Sequence, residues 1–136
     1  MSGNALIEFS YISKAKHPFT HLELVHLFDN AFKFNEAHNI TGVLFYENQY
    51  FLQILEGTQS NISFLWKKIR NDARHEIVRE LDFQEIVERN FPQWGMRFFG
   101  ADRIAKYIPE LRGYLDGLPE HDEQLLTLMR SVRDLK

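Results

Sequence analysis

Three side chains in this sequence are of types that hold a flat ligand with a polar edge: the phenol of Tyr11 and the carboxamides of Asn35 and Gln53. Each interrupts an apolar pattern. Tyr11 shares the alternation of Ile7 and Phe9, Asn35 ends a helical stripe of Leu24, Leu27, Phe28 and Ala31, and Gln53 sits between Phe51 and Leu55. A carboxamide has a donor end and an acceptor end, and a phenol does both jobs through one oxygen, so such groups need partners once buried. Local backbone partners would satisfy each of them singly. Three of them converging on one layer fit a planar heterocycle instead. Its rings would fill apolar volume while carbonyls and ring nitrogens along one edge met the amides.

Other residues invite a chemical reading. Lys67, Lys68, Arg70, Arg74 and His75 form a basic run near the end of a helical pattern, where a phosphate tail would meet charge and guanidinium donors; a solvated helix face is the commoner use of such a run. Trp94 and Met96 are two apart, so an extended backbone would put them on one side, either as core or beside a ligand. Glu56 beside Gly57 reads as a strand-ending surface carboxylate rather than a general acid. The six histidines, at 17, 21, 26, 38, 75 and 121, make no i, i+4 pair on one helix and no HxH set with a nearby carboxylate, so a metal site is not expected. GxSxG, GxGxxG and P-loop patterns are missing from the sequence, so nucleophile or nucleotide-motif enzymology finds no support.

The elements that must position these groups can be read from periodicity. Ala5 to Ile12 alternates as a half-buried strand. Thr20-His21-Leu22-Glu23 has capping-box spacing and predicts a helix start. Ile40–Tyr46 and Tyr50–Glu56 are apolar runs joined by Glu47-Asn48-Gln49, an antiparallel hairpin, with Gly57 breaking the second strand. Ile62, Leu65, Trp66 and Ile69 mark a second amphipathic helix. Glu76–Phe83 resumes a strand alternation through Ile77, Leu81 and Phe83, and the segment from Asn90 to Met96 leads into a last short strand. The order β-α-β-β-α-β-β predicts an α+β, ferredoxin-like fold, with two helices on one face of a five-stranded mixed sheet. Residues 101–136 read as a C-terminal helical cap: Pro109 and Pro119 can open helices, Gly117 can close one, and Leu125, Leu128, Met129, Val132 and Leu135 form a stripe.

Composition narrows the function. At 136 residues the chain suits one main domain, here residues 1–100, plus the appendage at 101–136. A formal charge of −3 and a pI near 6.1 argue against nucleic-acid binding. With no cysteine, disulfides, thiolate metal sites and thiol nucleophiles are excluded. A cytoplasmic protein is expected, since the sequence has neither a leader pattern nor an apolar run of membrane-spanning length.

Several motifs carry a resemblance. Ile40-Thr41-Gly42-Val43-Leu44-Phe45-Tyr46, followed by Phe51-Leu52-Gln53-Ile54-Leu55-Glu56-Gly57, resembles the "ITGxLxY … FLQxLEG" signature of BLUF photoreceptor domains. Asp72-Ala73-Arg74-His75 resembles the family's "DxRH" segment, and Phe91 to Met96 its "FxxWxM" segment. Tyr11-Ile12-Ser13 and Asn35 fall where the family has its strand tyrosine and helix asparagine; the match covers about residues 5 to 99. The resemblance implies a flavin, usually FAD, with FMN or riboflavin as other forms, held between the two helices. It implies that Asn35 bonds the isoalloxazine edge, that Gln53 bridges the flavin and Tyr11, that Leu27 and Ile69 line the ring, and that Arg74 and His75 lie toward the ribityl-phosphate end. In the implied photocycle an electron and then a proton leave the tyrosine, and the glutamine rearranges before the charges recombine. Trp94, Met96 and the terminal helices would relay the change to a separate protein or to a homo-oligomer. The implied role is sensory rather than enzymatic, and the histidine spacing, hydropathy and charge read above leave metal, membrane and nucleic acid out of the expected partners. Glu8, on the strand face away from Tyr11, is expected to be of no diagnostic value. The competing readings are a flavin-dependent enzyme, for which no spare acid/base pair is evident, and a flavin-free ferredoxin-like small-ligand or interaction module.

Overall fold

The computed structural model describes residues 3–116 and 122–135. In chain order the elements are β1 (Leu6–Ala15), α1 (His21–Ala37), β2 (Thr41–Glu47), β3 (Tyr50–Thr58), α2 (Gln59–Arg70), β4 (His75–Glu85), β5 (Arg97–Phe99), α3 (Ala101–Tyr107), α4 (Leu111–Leu115) and α5 (Asp122–Ser131), followed by a 3-10 turn at Val132–Asp134. The strands form one mixed sheet in the order β4-β1-β3-β2-β5, with β2 and β5 parallel and the other neighbours antiparallel. This is the expected α+β, ferredoxin-like arrangement with C-terminal helices. The start of α1 is the predicted capping box: Thr20 Oγ1 accepts from the Glu23 amide, and the Glu23 carboxylate accepts from the Thr20 amide.

The sheet is covered on both faces, and this decides where the polar residues end up. Ile7, Phe9, Tyr11, Leu44, Phe51 and Leu55 pack with α1 and α2. Ile12, Val43, Phe45, Leu52 and Ile54 pack with the helices that follow residue 100. The prediction of a half-buried β1 is therefore corrected, because Glu8 and Ser10, on its second face, are fully buried beneath the C-terminal helices. Glu56 is likewise no surface carboxylate; it is buried opposite Glu8.

Other expectations shift locally. Gly57 continues β3 and pairs with Ile7 instead of breaking the strand. The hairpin turn is two residues, Asn48 and Gln49, both at positive φ (52° and 66°), which matches the twist of the strands it joins. Ile77, Leu81 and Phe83 do not share a face. The register between β1 and β4 shifts on either side of Tyr11-Ile12, so Leu81 packs toward the C-terminal helices while Ile77 stays with α1 and α2. Pro109 precedes α4, its carbonyl accepting from the Arg112 amide. Gly117 and Pro119 lie outside the described residues. The predicted last stripe holds, with Leu125, Met129 and Val132 buried and Leu128 and Leu135 partly so.

Candidate functional site

The three polar residues that opened the sequence reading meet in one cleft. Antiparallel pairing sets Tyr11 of β1 opposite Gln53 of β3, and Gln53 is in turn opposite Leu44 of β2, so all three project toward α1 and α2. From α1, Leu27, Ala31 and Asn35 recur at i, i+4 and i+8 and descend one helix face onto that surface. Leu65 and Ile69 of α2 supply the opposite wall. Between the walls lies a cavity of about 90 Å³ that opens at its mouth to solvent. Phe19, Phe51, Asp72, Arg74 and His75 complete the lining.

Hydrogen bonding inside the cleft is incomplete in an informative way. Tyr11 donates to Gln53 Oε1 at 2.5 Å. Among the described residues Gln53 Nε2 meets only the Met96 sulfur, at 3.8 Å, a weak acceptor. Asn35 Nδ2 donates to the Gly95 carbonyl at 2.8 Å, but Asn35 Oδ1 is buried without a partner among the described residues. A ligand edge that donates to the Asn35 carbonyl and accepts from the Gln53 amide would satisfy both groups, and the alternating N–H and C=O positions of an isoalloxazine ring are such an edge. Burial, reinforced by the Asp72 charge, holds the Tyr11 phenol well above its ordinary range, so it remains a neutral donor.

The polar end of the cleft is already organised. Arg74 forks onto the Asp72 carboxylate, at 2.6 Å for its shortest contact, and its guanidinium lies over the Phe19 ring. That pairing holds the Asp72 carboxyl below its usual range and raises Arg74 further. His75 is engaged at both ring nitrogens: Nε2 faces the Ile69 carbonyl at 2.6 Å, which can only accept and so places a proton there, and Nδ1 faces Ser13 Oγ at 2.7 Å. His75 thus ties the end of α2 to β1 and sets the position of Ile69. Lys67, Lys68 and Arg70 lie on the outer face of α2, and Lys68 sits over the Phe34 and Phe64 rings.

Trp94 and Met96 correct the expectation of a shared side. The strand begins only at Arg97, and the turn before it places Met96 against Gln53 among the α1–α2 packing while Trp94 stacks on Phe91 at 5.2 Å on the C-terminal-helix side. Sequence reasoning missed Phe19, Ala31, Leu44, Phe51, Leu65 and Asp72 as lining residues. Helical spacing relates Ala31 to Leu27 and Asn35, and Leu65 to Ile69, so those two were within reach; Phe19 lies in a loop and carries no such signal. Among the described residues no His, Asp or Glu cluster is arranged to hold a metal ion, and no helix is long and apolar enough to cross a membrane.

Comparison with known proteins agrees with this geometry. Residues 6–97 match the model of the family described as BLUF, sensors of blue-light using FAD. The chain is 43% identical over 127 residues to photoactivated adenylate cyclase subunit alpha of Euglena gracilis, and 33% identical over 130 residues to photoactivated adenylate cyclase subunit beta of Euglena longa. These matches cover 93% and 95% of the chain, which spans only 12% and 15% of those proteins. Its fold matches the dark-state structure of the BLUF protein BlrB with a TM-score of 0.83 at 26% identity, covering 96% of this chain and 98% of that one. A bacterial light-regulated adenylyl cyclase matches with a TM-score of 0.76 at 28% identity, over 93% of this chain and 39% of that one. A family match that spans residues 6–97, together with relatives above 30% identity over nine-tenths of the chain, shows that this chain belongs to the BLUF family of blue-light sensors.

Proposed function

We propose that the cleft between α1 and α2 binds FAD, or the shorter flavins through the same ring, and that Tyr11 and Gln53 are its photoactive pair. The observation that carries this reading is the Tyr11–Gln53 hydrogen bond lying in the same cleft as the orphaned Asn35 carbonyl. Asn35 and Gln53 would hold the ring edge and Leu27 and Ile69 its faces, while Arg74 and His75 stand toward the tail. When bound, the flavin supplies blue-light absorption and an excited state able to accept an electron.

The chain's own residues define the rest. Tyr11, kept neutral by burial, gives up an electron, and its hydroxyl proton has an acceptor at Gln53 Oε1, 2.5 Å away. Gln53 can then turn its amide, because the contact that restrains Nε2 is a weak one to sulfur. Exchanging the amide's ends changes which atoms donate and accept toward the ring, and that altered pattern stores the signal after electron and proton return to Tyr11. Neither residue is consumed. The domain is a sensor that does no catalysis itself, and its response passes through Met96, Trp94 and the C-terminal helices to a partner protein or to the oligomeric state.

The test is a dark-versus-illuminated absorption spectrum of the flavin-loaded protein. A small red shift under blue light that decays in darkness is expected, with Tyr11→Phe retaining flavin but losing the shift. A protein that stays colourless after incubation with FAD would return the chain to the flavin-free ligand or interaction module, and normal switching by Tyr11→Phe would remove Tyr11 as donor.

A further inference from the structure

The face of the sheet turned away from the cleft carries a second polar constellation. Glu8 of β1 and Glu56 of β3 are cross-strand neighbours, and each is fully buried. Two adjacent buried carboxylates are costly unless donors converge on them. Here the donors come from the start of β2, from the chain after β4 and from α5. Glu56 accepts from the Asn90 amide at 2.6 Å, the Phe91 amide at 2.9 Å and the Thr41 hydroxyl at 3.1 Å. Glu8 accepts from Asn90 Nδ2 at 3.1 Å and is paired with the Arg130 guanidinium, which also reaches Asp82 at 3.2 Å. Beyond α5, Arg133 donates to Asn90 Oδ1 at 2.5 Å.

Asn90 therefore bonds both acids and the C-terminal helical segment at once, through its backbone amide and both ends of its side chain. Five and six residues later the same stretch of chain meets the two carboxamides that line the cleft. The Gly95 carbonyl takes the Asn35 donor, and the Met96 sulfur takes the Gln53 donor. Between these ends Phe91 is buried, and the Trp94 carbonyl accepts from the Gly42 amide at 2.9 Å. Residues 90–96 are thus a short strap, held at one end by the two carboxamides of the cleft and at the other by the buried acid pair and Arg133.

We propose that Asn90 is the positioning residue that couples the cleft to α5: when Gln53 changes the atom it offers to Met96, the strap shifts, Asn90 loosens its hold on Glu8 and Arg133, and α5 is released from the sheet. This rests on the light-sensing reading above, and it assigns the output to a polar junction on the opposite face of the sheet. Coupling of this kind needs an element with two arrangements that both sites bias, and the proposal gives that role to α5 and the turn after it, whose Arg130 and Arg133 can pair with water and surface acids once freed.

The experiment is amide hydrogen exchange of residues 122–135 in the FAD-loaded full chain, in darkness and under blue light, with the absorption shift recorded on the same samples. The wild type should exchange about fivefold faster in the light, the change expected when local opening is eased by about 1 kcal/mol. Asn90→Ala should keep the shift and lose the difference in exchange. Arg133→Gln, at an exposed position, should reduce the difference and keeps the test decisive if Asn90→Ala fails to fold. A wild type that shifts in the light with unchanged exchange at 122–135, or an unreduced difference in these variants, overturns the coupling. Loss of the absorption shift in the wild type refutes the sensor reading instead.

Discussion

Replacing Asn35 by alanine should weaken flavin binding far more than it weakens the fold. In the free protein the substitution has two opposing effects. It deletes the bond from Asn35 Nδ2 to the Gly95 carbonyl, worth about 0.5–1.5 kcal/mol, and it also removes a buried carbonyl with no partner, whose burial costs about 1–3 kcal/mol. These offset each other, so the thermal midpoint without flavin should move little. In the complex the Asn35 carbonyl no longer meets the ring edge, and losing about 1–3 kcal/mol raises Kd about 5- to 150-fold. At a flavin concentration of about 100 times the wild-type Kd, binding stabilises the wild type by about 2.7 kcal/mol, and a tenfold weaker variant retains about half of that. Fluorescence titration of FAD into each protein gives Kd, and melting with and without FAD gives the second measure. If Asn35→Ala folds and binds FAD within about twofold of wild type, the orphaned carbonyl is not a flavin contact and the placement of the ring fails.

Arg130→Met should destabilise the protein by about 3 kcal/mol in urea unfolding, because it strands a fully buried Glu8 carboxylate; the double change with Glu8→Met should recover most of the loss, and a cost below about 1 kcal/mol would show the pair behaving like a surface ion pair. Gly42→Ala should cost about 3 kcal/mol, the upper end for overpacking, since its Cβ would stand 2.0 Å from the Ile54 carbonyl oxygen on the neighbouring strand, and a normal urea midpoint for this variant would refute that packing. Burial raises the Glu56 pKa above its ordinary 4.5, although the Asn90 and Phe91 amides and the Thr41 hydroxyl pull it down. The folded protein therefore holds this proton more tightly than the unfolded chain, and the penalty for charging Glu56 is absent below 4.5 and complete above the folded value. Unfolding midpoints followed upward from pH 4.5 should fall relative to those of Glu56→Gln; parallel curves would contradict the assignment.

Much of the site was legible because its signals are local. Alternation put Tyr11 with Ile7 and Phe9, helical spacing put Asn35 under Leu27 and Ala31, and the hairpin carried Gln53 to the same layer. Each inference needs only the two-residue period of a strand or the 3.6-residue period of a helix. The capping box at Thr20 and the final apolar stripe were readable for the same reason.

What the residues could not announce is anything set by elements far apart in the chain. Glu8 and Glu56 read as unremarkable because alternation says which residues share a face, not whether that face meets water; α5, more than a hundred residues after Glu8, buries it and supplies Arg130. Trp94 and Met96 parted sides because a turn replaces the extended backbone that their spacing assumed, and Leu81 left the face of Ile77 because β4 slips against β1. The sequence by itself determined the strands, the helices and the phenol and amides they carry. Only the tertiary structure decided that the far face of the sheet is dry, since burial depends on which distant segments dock there, and with it the need for an acid pair, its arginines and the strap between them.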